Sequence, residues 1–534
     1  MLFHNKNIYK KDVVLSSLLI HKQKKMPSKL CFESLANELI LEIFEYLPSI
    51  DLLRAYFNLN QRFNQLLIQH FQSYSLDFRS ISYANFKLIT HDYLPTQLIH
   101  SITSIHLSNN DDTPVQIDLF YQYGLKLSRF DALTSLFIYD CNSSDSSVLF
   151  DIQSLENLIH LTLAGCYFQF TDQQQHQSFI DHIWTLSKLN SCYLNIHFND
   201  DEQLFKPQRR SLSLKSLSLW GIERQIDEFN EIINQTPNLE HLSILLRIDT
   251  DQSLSTNFSA SLIKKFELSC SRIDESFSIV PNLSCLTIDL DEFLFDGYQW
   301  SNLIENNLPK LEKFRLRMTF QYFNIDSLVQ SFQTDFWLQK HQWYIRCHWN
   351  TTNKRSILYT IPYYFKDFEL DFSMKFISTG DNFNYKSVTD LSCNNSEISS
   401  DTNLQQIISN FDRINSLDIS MDSTEQLSYF FKQFTNRTIH QIDLRKFDRY
   451  FTIDECHEIS QILSTTIQCE SLLIKIQNRF GLIPFLTNMK HLRALNIQCL
   501  DDDEYLLAWI QLHLSSASLI KRDVFFIEDI QIWS

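Results

Sequence analysis

Cysteine and histidine are the residues of this 534-residue chain best suited to chemistry, with 11 Cys and 17 His. Their spacing does not assemble them. No Cys-x-x-Cys pair occurs, and the neighbours Cys347-His348 and Cys456-His457 have no second pair at zinc-ligand spacing. An odd number of scattered Cys reads as reduced, mostly buried thiols. The acidic clusters Asp200-Asp201-Glu202 and Asp501-Asp502-Asp503-Glu504 could attract a hard cation, but no convergent ligands accompany them, so solvated loops are expected. No His-Glu-x-x-His, phosphate-binding loop, Gly-x-Gly-x-x-Gly or Gly-x-Ser-x-Gly elbow is present, and six Gly leave little room for one. No catalytic, cofactor-binding or metal-binding residues are therefore expected, and no cofactor.

What must position any functional surface is a recurring phrase: an apolar residue, two others, an apolar residue, one other, an apolar residue. Twelve clear copies run from Ile102/Ile105/Leu107 to Leu492/Leu495/Ile497, with weaker ones at Leu189/Cys192/Leu194, Phe365/Phe368/Leu370 and Val388/Leu391/Cys393. The middle residues step by 25 from 136 to 161, 192 to 217, 217 to 242 and 417 to 442. Alternate residues of a short strand share one face. One strand cannot bury that face alone, but stacked parallel strands build a continuous core. Turns such as Pro237-Asn238-Leu239 and Pro281-Asn282-Leu283 precede the phrase, and segments such as EIINQ and WSNLIENN before them read as helices.

The period and the phrase resemble leucine-rich repeats. Asn110, Cys141 and Cys166 stand three residues after the last anchor, where the resemblance implies a short side chain that satisfies turn backbone. Most later copies lack it, so the repeats are irregular. Residues 333–372 break the rhythm: HQWYIRCHW and RSILYTIPYYF read as two strands around a turn at 350–354. Trp337, Trp343 and Trp349 there are read as core filling at a joint, with an aromatic ligand platform as the other reading.

Ahead of the repeats, Leu39, Ile40, Ile43, Phe44 and Leu47 form an apolar helical stripe. Asn37 can cap it, Glu38 suits the positive helix end, and Pro48 stops it. Asp51 is a natural cap for a second helix, and Phe63, Leu66, Leu67 and Phe71 mark a third. Three short helices cannot bury all this apolar surface among themselves. The remainder is expected either on a helical partner or on the chain's own first repeats.

Over roughly 40 residues the segment resembles the F-box motif: Leu35, Glu38-Leu39, Ile43-Phe44, Leu47-Pro48, Asp51-Leu52-Leu53-Arg54-Ala55 and Asn60-Gln61-Arg62-Phe63. The resemblance implies docking on the adaptor of a cullin–RING ubiquitin ligase. The implied adaptor-binding set is Leu35, Glu38, Leu39, Ile43, Phe44, Leu47, Pro48, Leu52, Leu53 and Phe63, at docking and packing positions. The family usually has Pro after the first Leu; here Ala36 stands, which implies a modestly weaker dock.

The net charge of −17 excludes a basic nucleic-acid footprint. Residues 1–29 carry about +6 and the remainder about −23, so neither nucleic acid nor membrane is expected as partner. Val13–Ile20 is too short to span a bilayer, and Met26 is an alternative start. The fold expected is α/β: a three-helix F-box, then a curved leucine-rich-repeat solenoid with parallel strands. The divisions are a disordered basic tail (1–29), the F-box (30–72), a helical linker or cap (73–100) and the solenoid (101–534), its insert near 333–372. The function expected is a non-catalytic substrate receptor of an SCF-type ligase in the cytoplasm, with the nucleus also open to it. An unknown target protein would sit on the concave face at His106, Phe137, Thr162, Ser218, Ser243, Arg315, Asp418, Asp443 and Asn496. The alternatives are a non-ligase repeat scaffold and an enzyme built on a solenoid.

Overall fold

The computed structural model describes residues 32–534, apart from 95–96, 144–146, 171, 199–205, 225, 247–261, 271–281, 322–323, 351–353, 372–374, 381–384, 396–410, 412, 422, 434–437, 468, 502–504, 515–517 and 523–528. The basic tail and the acidic residues 200–202 and 502–504 lie outside the described residues.

Three helices open the described chain: α1 (Asn37–Phe44), α2 (Ser49–Tyr56) and α3 (Gln61–Phe71). Asn37 is not the cap of α1, as expected from sequence, but its first residue; Ala36 holds the cap position without a side-chain bond. The Asn37 side-chain oxygen instead accepts from Arg62 Nε at 2.7 Å, and the Arg62 guanidinium also reaches the carbonyls of Glu33 and Leu35. Arg62 thus ties α3 to the start of α1. Pro48, rather than Asp51, precedes α2, and Asp51 sits in its first turn, where its charge favours the helix end. Asn60 caps α3 by accepting from the Phe63 N–H at 3.1 Å.

Ile40, Phe44, Leu52, Leu53, Phe63, Leu67 and Phe71 are fully enclosed, each contributing roughly 1.5–3 kcal/mol. Their core runs without interruption into the first coils. The Phe71 carbonyl accepts from the Thr103 N–H, and Ser49 Oγ donates to the Ser75 carbonyl at 2.8 Å. The module therefore stacks on the repeats by one face.

The strands follow in chain order: β1 (Leu76–Asp77), β2 (Ser104–Ser108), β3 (Ser135–Tyr139), β4 (Asn142–Ser143), β5 (His160–Phe168), β6 (Ser191–Phe198), β7 (Ser216–Arg224), β8 (His241–Leu246), β9 (Lys265–Cys270), β10 (Cys285–Asp291), β11 (Lys313–Gln321), β12 (Tyr344–Trp349), β13 (Arg355–Ile361), β14 (Asp367–Asp371), β15 (Lys375–Ser378), β16 (Asp390–Asn395), β17 (Ser416–Met421), β18 (Gln441–Asp443), β19 (Ser471–Ile476), β20 (Ala494–Cys499), β21 (Leu519–Arg522) and β22 (Asp529–Trp533). Two sheets result. The first runs β1-β2-β3-β5-β6-β7-β8-β9-β10-β11 with every neighbour parallel, then adds β13, β12 and β15 antiparallel. The second runs β14-β16-β17-β18-β19-β20 parallel, then β22 and β21 antiparallel.

Register follows the apolar phrase. Ile105, Leu136, Leu161, Cys192, Leu217, Leu242, Phe266, Leu286 and Phe314 stand opposite one another in turn, and all are buried. Phe368, Leu391, Leu417, Ile442, Leu472 and Leu495 do the same in the second sheet. A slip by one residue would turn each row out of the core, which is why the pattern fixes the pairing. Helices return the chain between strands, among them Ile226–Gln235, Gly297–Asn307 and Ile453–Thr466. The last is closed by a capping box between Thr452 and Glu455. This is a long parallel-strand α/β array of the kind leucine-rich repeats build.

The irregular stretch is a hairpin, β12 against β13, with Trp349 opposite Ser356. It extends the first sheet, which β15 closes against β12. Trp337 is fully buried, with Nε1 donating to the Gly297 carbonyl at 3.0 Å, while Trp343 and Trp349 are half-buried. Polar groups pair at the same joint: Tyr359 with Tyr385 at 2.6 Å, His348 with Tyr359 at 2.8 Å, and Arg346 with Tyr385 at 3.1 Å. Arg317 bridges the sheets, paired with Asp289 and Asp367, each at 2.6 Å.

The first coils and the last strands of the described chain meet. Trp533 is fully buried in the N-terminal core, beside Tyr83 and Phe86, and its Nε1 donates to the Ile81 carbonyl at 2.9 Å. The Tyr83 N–H donates to the Ser534 carbonyl, and Lys521 faces Asp118 at 3.5 Å. The array returns to its own beginning.

Candidate interaction surfaces

The residues singled out at the helical module divide into two groups. Phe44, Leu52, Leu53 and Phe63 are fully buried, so four of the ten expected contacts serve packing and present no surface to a partner. Phe63 stacks on Tyr56 at 5.2 Å, which Phe44 also touches. Glu38, Leu39, Leu47 and Pro48 are exposed, and Leu35 and Ile43 are half-buried. Leu39 is 42% and Leu47 36% exposed. Leu39 and Ile43 are one helical turn apart and share a face of α1. Phe32 and Leu59, not singled out from sequence, are also exposed apolar residues of this module. Their signal was missing because neither belongs to a helical stripe.

The concave-face expectation needs correction. None of its nine residues is exposed: His106, Thr162, Ser243 and Asn496 are buried, and Phe137, Ser218, Arg315, Asp418 and Asp443 half-buried. Neighbouring strands lie only ~4.8 Å apart, so inward side chains along one row reach each other. His106 stacks on Phe137 at 4.1 Å, and Arg315 lies 3.4 Å over the Tyr364 ring. Ser243 accepts from Trp220 Nε1 and donates to Glu267. Asp418 pairs with Lys446 and Asp443 with Arg445, each at 2.9 Å. The partners expected from outside are largely found within.

A cleft of about 490 Å³ lies on the inward face where the second sheet begins, lined by Asp367, Glu369, Asp390, Ser392, Asp418 and Lys446 among others. Burial, reinforced by Asp367 and Asp418, raises the Asp390 carboxyl above its ordinary range. The Thr389 hydroxyl and Lys366 oppose the rise, and Lys446 pairs with Asp418 at 2.9 Å and donates to Ser392 Oγ at 3.0 Å.

The ten described cysteines are free and buried. Burial pushes the thiols of Cys347 and Cys456 up to about 12, far from a thiolate at neutral pH. Among the described residues no group of three or more His, Cys, Asp or Glu could hold a metal ion. No described helix is long and apolar enough to cross a membrane.

Of the expected ladder positions, Cys141 and Cys166 are fully buried, with Cys166 Sγ reaching the Ile138 and Ala164 carbonyls, whereas Asn110 is half-buried and its side-chain oxygen accepts from the Thr113 hydroxyl at 2.7 Å instead of from turn backbone. The array and its inward rows are those of a repeat protein, and its surfaces are the candidates for function. No family model and no curated protein matches this sequence. Among solved structures it is similar to an internalin from Listeria monocytogenes, at 10% identity over 79% of this chain and 94% of that one, with a TM-score of 0.27. At that score the likeness carries no weight for architecture or function.

Proposed function

We propose that this chain is the substrate-recognition subunit of a cullin–RING ubiquitin ligase, docked to the ligase adaptor through α1 and its flanks. The observation that carries the reading is the division at α1. Phe44, Leu52, Leu53 and Phe63 build the module's core, while Leu39 and Leu47 stay exposed although a packed core lies beside them. An apolar strip left outside on an otherwise folded module is what a helical partner covers. The resemblance of residues 35–63 to the F-box names that partner as the adaptor. The repeats would then hold a target protein, and ubiquitin transfer would belong to partner enzymes in the cytoplasm or nucleus.

Leu39→Asp with Leu47→Asp changes only exposed residues and should leave the helical content intact by circular dichroism. Capture of purified adaptor by the full chain is expected to fall at least tenfold. Undiminished capture by this double variant would overturn the docking reading. Adaptor left uncaptured by the unaltered chain would favour a repeat scaffold that binds proteins without a ligase.

A further inference from the structure

The last coil carries an apolar face that the described chain leaves open. Helix α4 (Leu506–His513) follows β20 and buries Leu506 and Ile510 in the core. Tyr505, just before it, recurs with Ala508, Trp509 and Leu512 at three- and four-residue spacing, so these share another side of the helix. There Tyr505 is 65% and Leu512 83% exposed, and Trp509 is half-buried. The preceding coil extends the strip: Phe480 meets Trp509 edge-on at 5.5 Å, and Ile483 follows three residues on, both of them exposed. A contiguous apolar strip of this kind marks a place where another segment docks.

Charge and reach say what fits there. The sequence leading into α4 is Asp501-Asp502-Asp503-Glu504, and beside the strip Arg479 is already committed to Asp501 at 3.2 Å. An occupant should therefore bring apolar side chains flanked by positive charge. Residues 1–31, outside the described residues, hold such a segment: Val13–Ile20 is apolar except for Ser16 and Ser17, with Lys10 and Lys11 before it and Lys22, Lys24 and Lys25 after. From Ile20 to Phe32 are 12 residues, which extended reach about 40 Å. Phe32 stacks on Tyr56 and Phe63 in the helical module, which packs on the first coils. Lys521 of β21, the strand after α4, faces Asp118 in the helix that follows β2. The start of the described chain and α4 thus lie at one junction.

We propose that the chain's own residues 10–25 dock on the strip formed by Phe480, Ile483, Tyr505, Trp509 and Leu512. The apolar residues of the segment cover the strip, and its flanking lysines meet the acidic body of the molecule. Docked, the segment braces the last coil against the module and withholds the strip from other proteins. The inference goes beyond the adaptor reading, because Leu39 and Leu47 take no part in it.

Photo-cross-linking of the full chain, with benzoylphenylalanine in place of Leu18, tests this. Mass spectrometry on a mixture of isotopically light and heavy chains should find cross-links within one chain, to peptides covering 479–488 and 505–513. Tyr505→Asp with Leu512→Asp alters exposed residues only and should keep the helical content by circular dichroism. It should lower that cross-linking by roughly fivefold or more, since two apolar contacts are lost. Cross-links that join a light chain to a heavy one would make the strip a contact between copies and overturn the docking within one chain. Cross-links to other peptides, none at all, or a yield that the double variant leaves unchanged would overturn it as well. Adaptor capture by α1 involves none of these residues, so failure of either proposal is told apart from failure of the other.

Discussion

His70 shows how one buried side chain sets a condition on the fold. It is 4% exposed, stacked flat on Tyr74 at 4.5 Å and edge-on to Phe44. Burial lowers its value from the ordinary 6.5 to about 4, although Glu45 pulls the other way. The folded state therefore resists protonation. Its contribution is present above about 6.5 and lost as pH falls toward 4, amounting to roughly 2 kcal/mol between pH 8 and pH 5. His70→Phe keeps an aromatic ring and no proton. Denaturant titrations at the two values should show the unaltered chain losing about 2 kcal/mol more than the variant; equal losses would remove His70 from the account. At this scale the sequence was only partly legible. It supplied the apolar stripe, but periodicity cannot say which member of a stripe packs inside. Phe44 and Leu39 belong to the same helix, yet one is enclosed and the other open. Arg62, which ties three helical pieces together, was visible only as one letter of a motif.

At the level of elements, the start of α1 carries a specific expectation. Ala36 sits with φ −64° and ψ 151°, close to the ~−65° that proline imposes. The departure from the F-box pattern thus leaves the backbone in proline's own conformation. Ala36→Pro should stabilise the chain by about 0.4–1 kcal/mol, because it restricts the unfolded state more than the folded one. The urea midpoint should rise with no change in slope; a lower midpoint would show that Leu35 cannot adopt the extended form required before proline. The repeats were the most legible elements, for a physical reason. Each anchor answers to the coil on either side, so the same constraint is written many times over. The caps were less legible: the side chain of Asn37 was claimed by Arg62, 25 residues away, and a local rule cannot anticipate that.

For the whole molecule, the decisive feature is that the array returns to its start, and nothing in the repeat pattern announces it. Periodicity describes neighbours about 25 residues apart, whereas Trp533 and Ile81 are 452 apart. The concave contacts expected from alternation were misplaced for a related reason. Alternation tells which residues point inward, but crowding along each row decides what remains free. Trp533 offers the clearest test of closure. Its ring is fully buried between Tyr83 and Phe86, and Trp533→Ala should cost about 3–5 kcal/mol. Trp300, equally buried but inside one coil, gives a matched control when replaced by Ala. If the ends close the array, hydrogen exchange at residues 76–88 should rise in Trp533→Ala and stay unchanged in Trp300→Ala. Residues 76–88 are more than 440 positions from Trp533 in sequence, so exchange there can respond selectively only through the seam. Identical exchange maps for the two variants would mean that the ends touch without supporting one another.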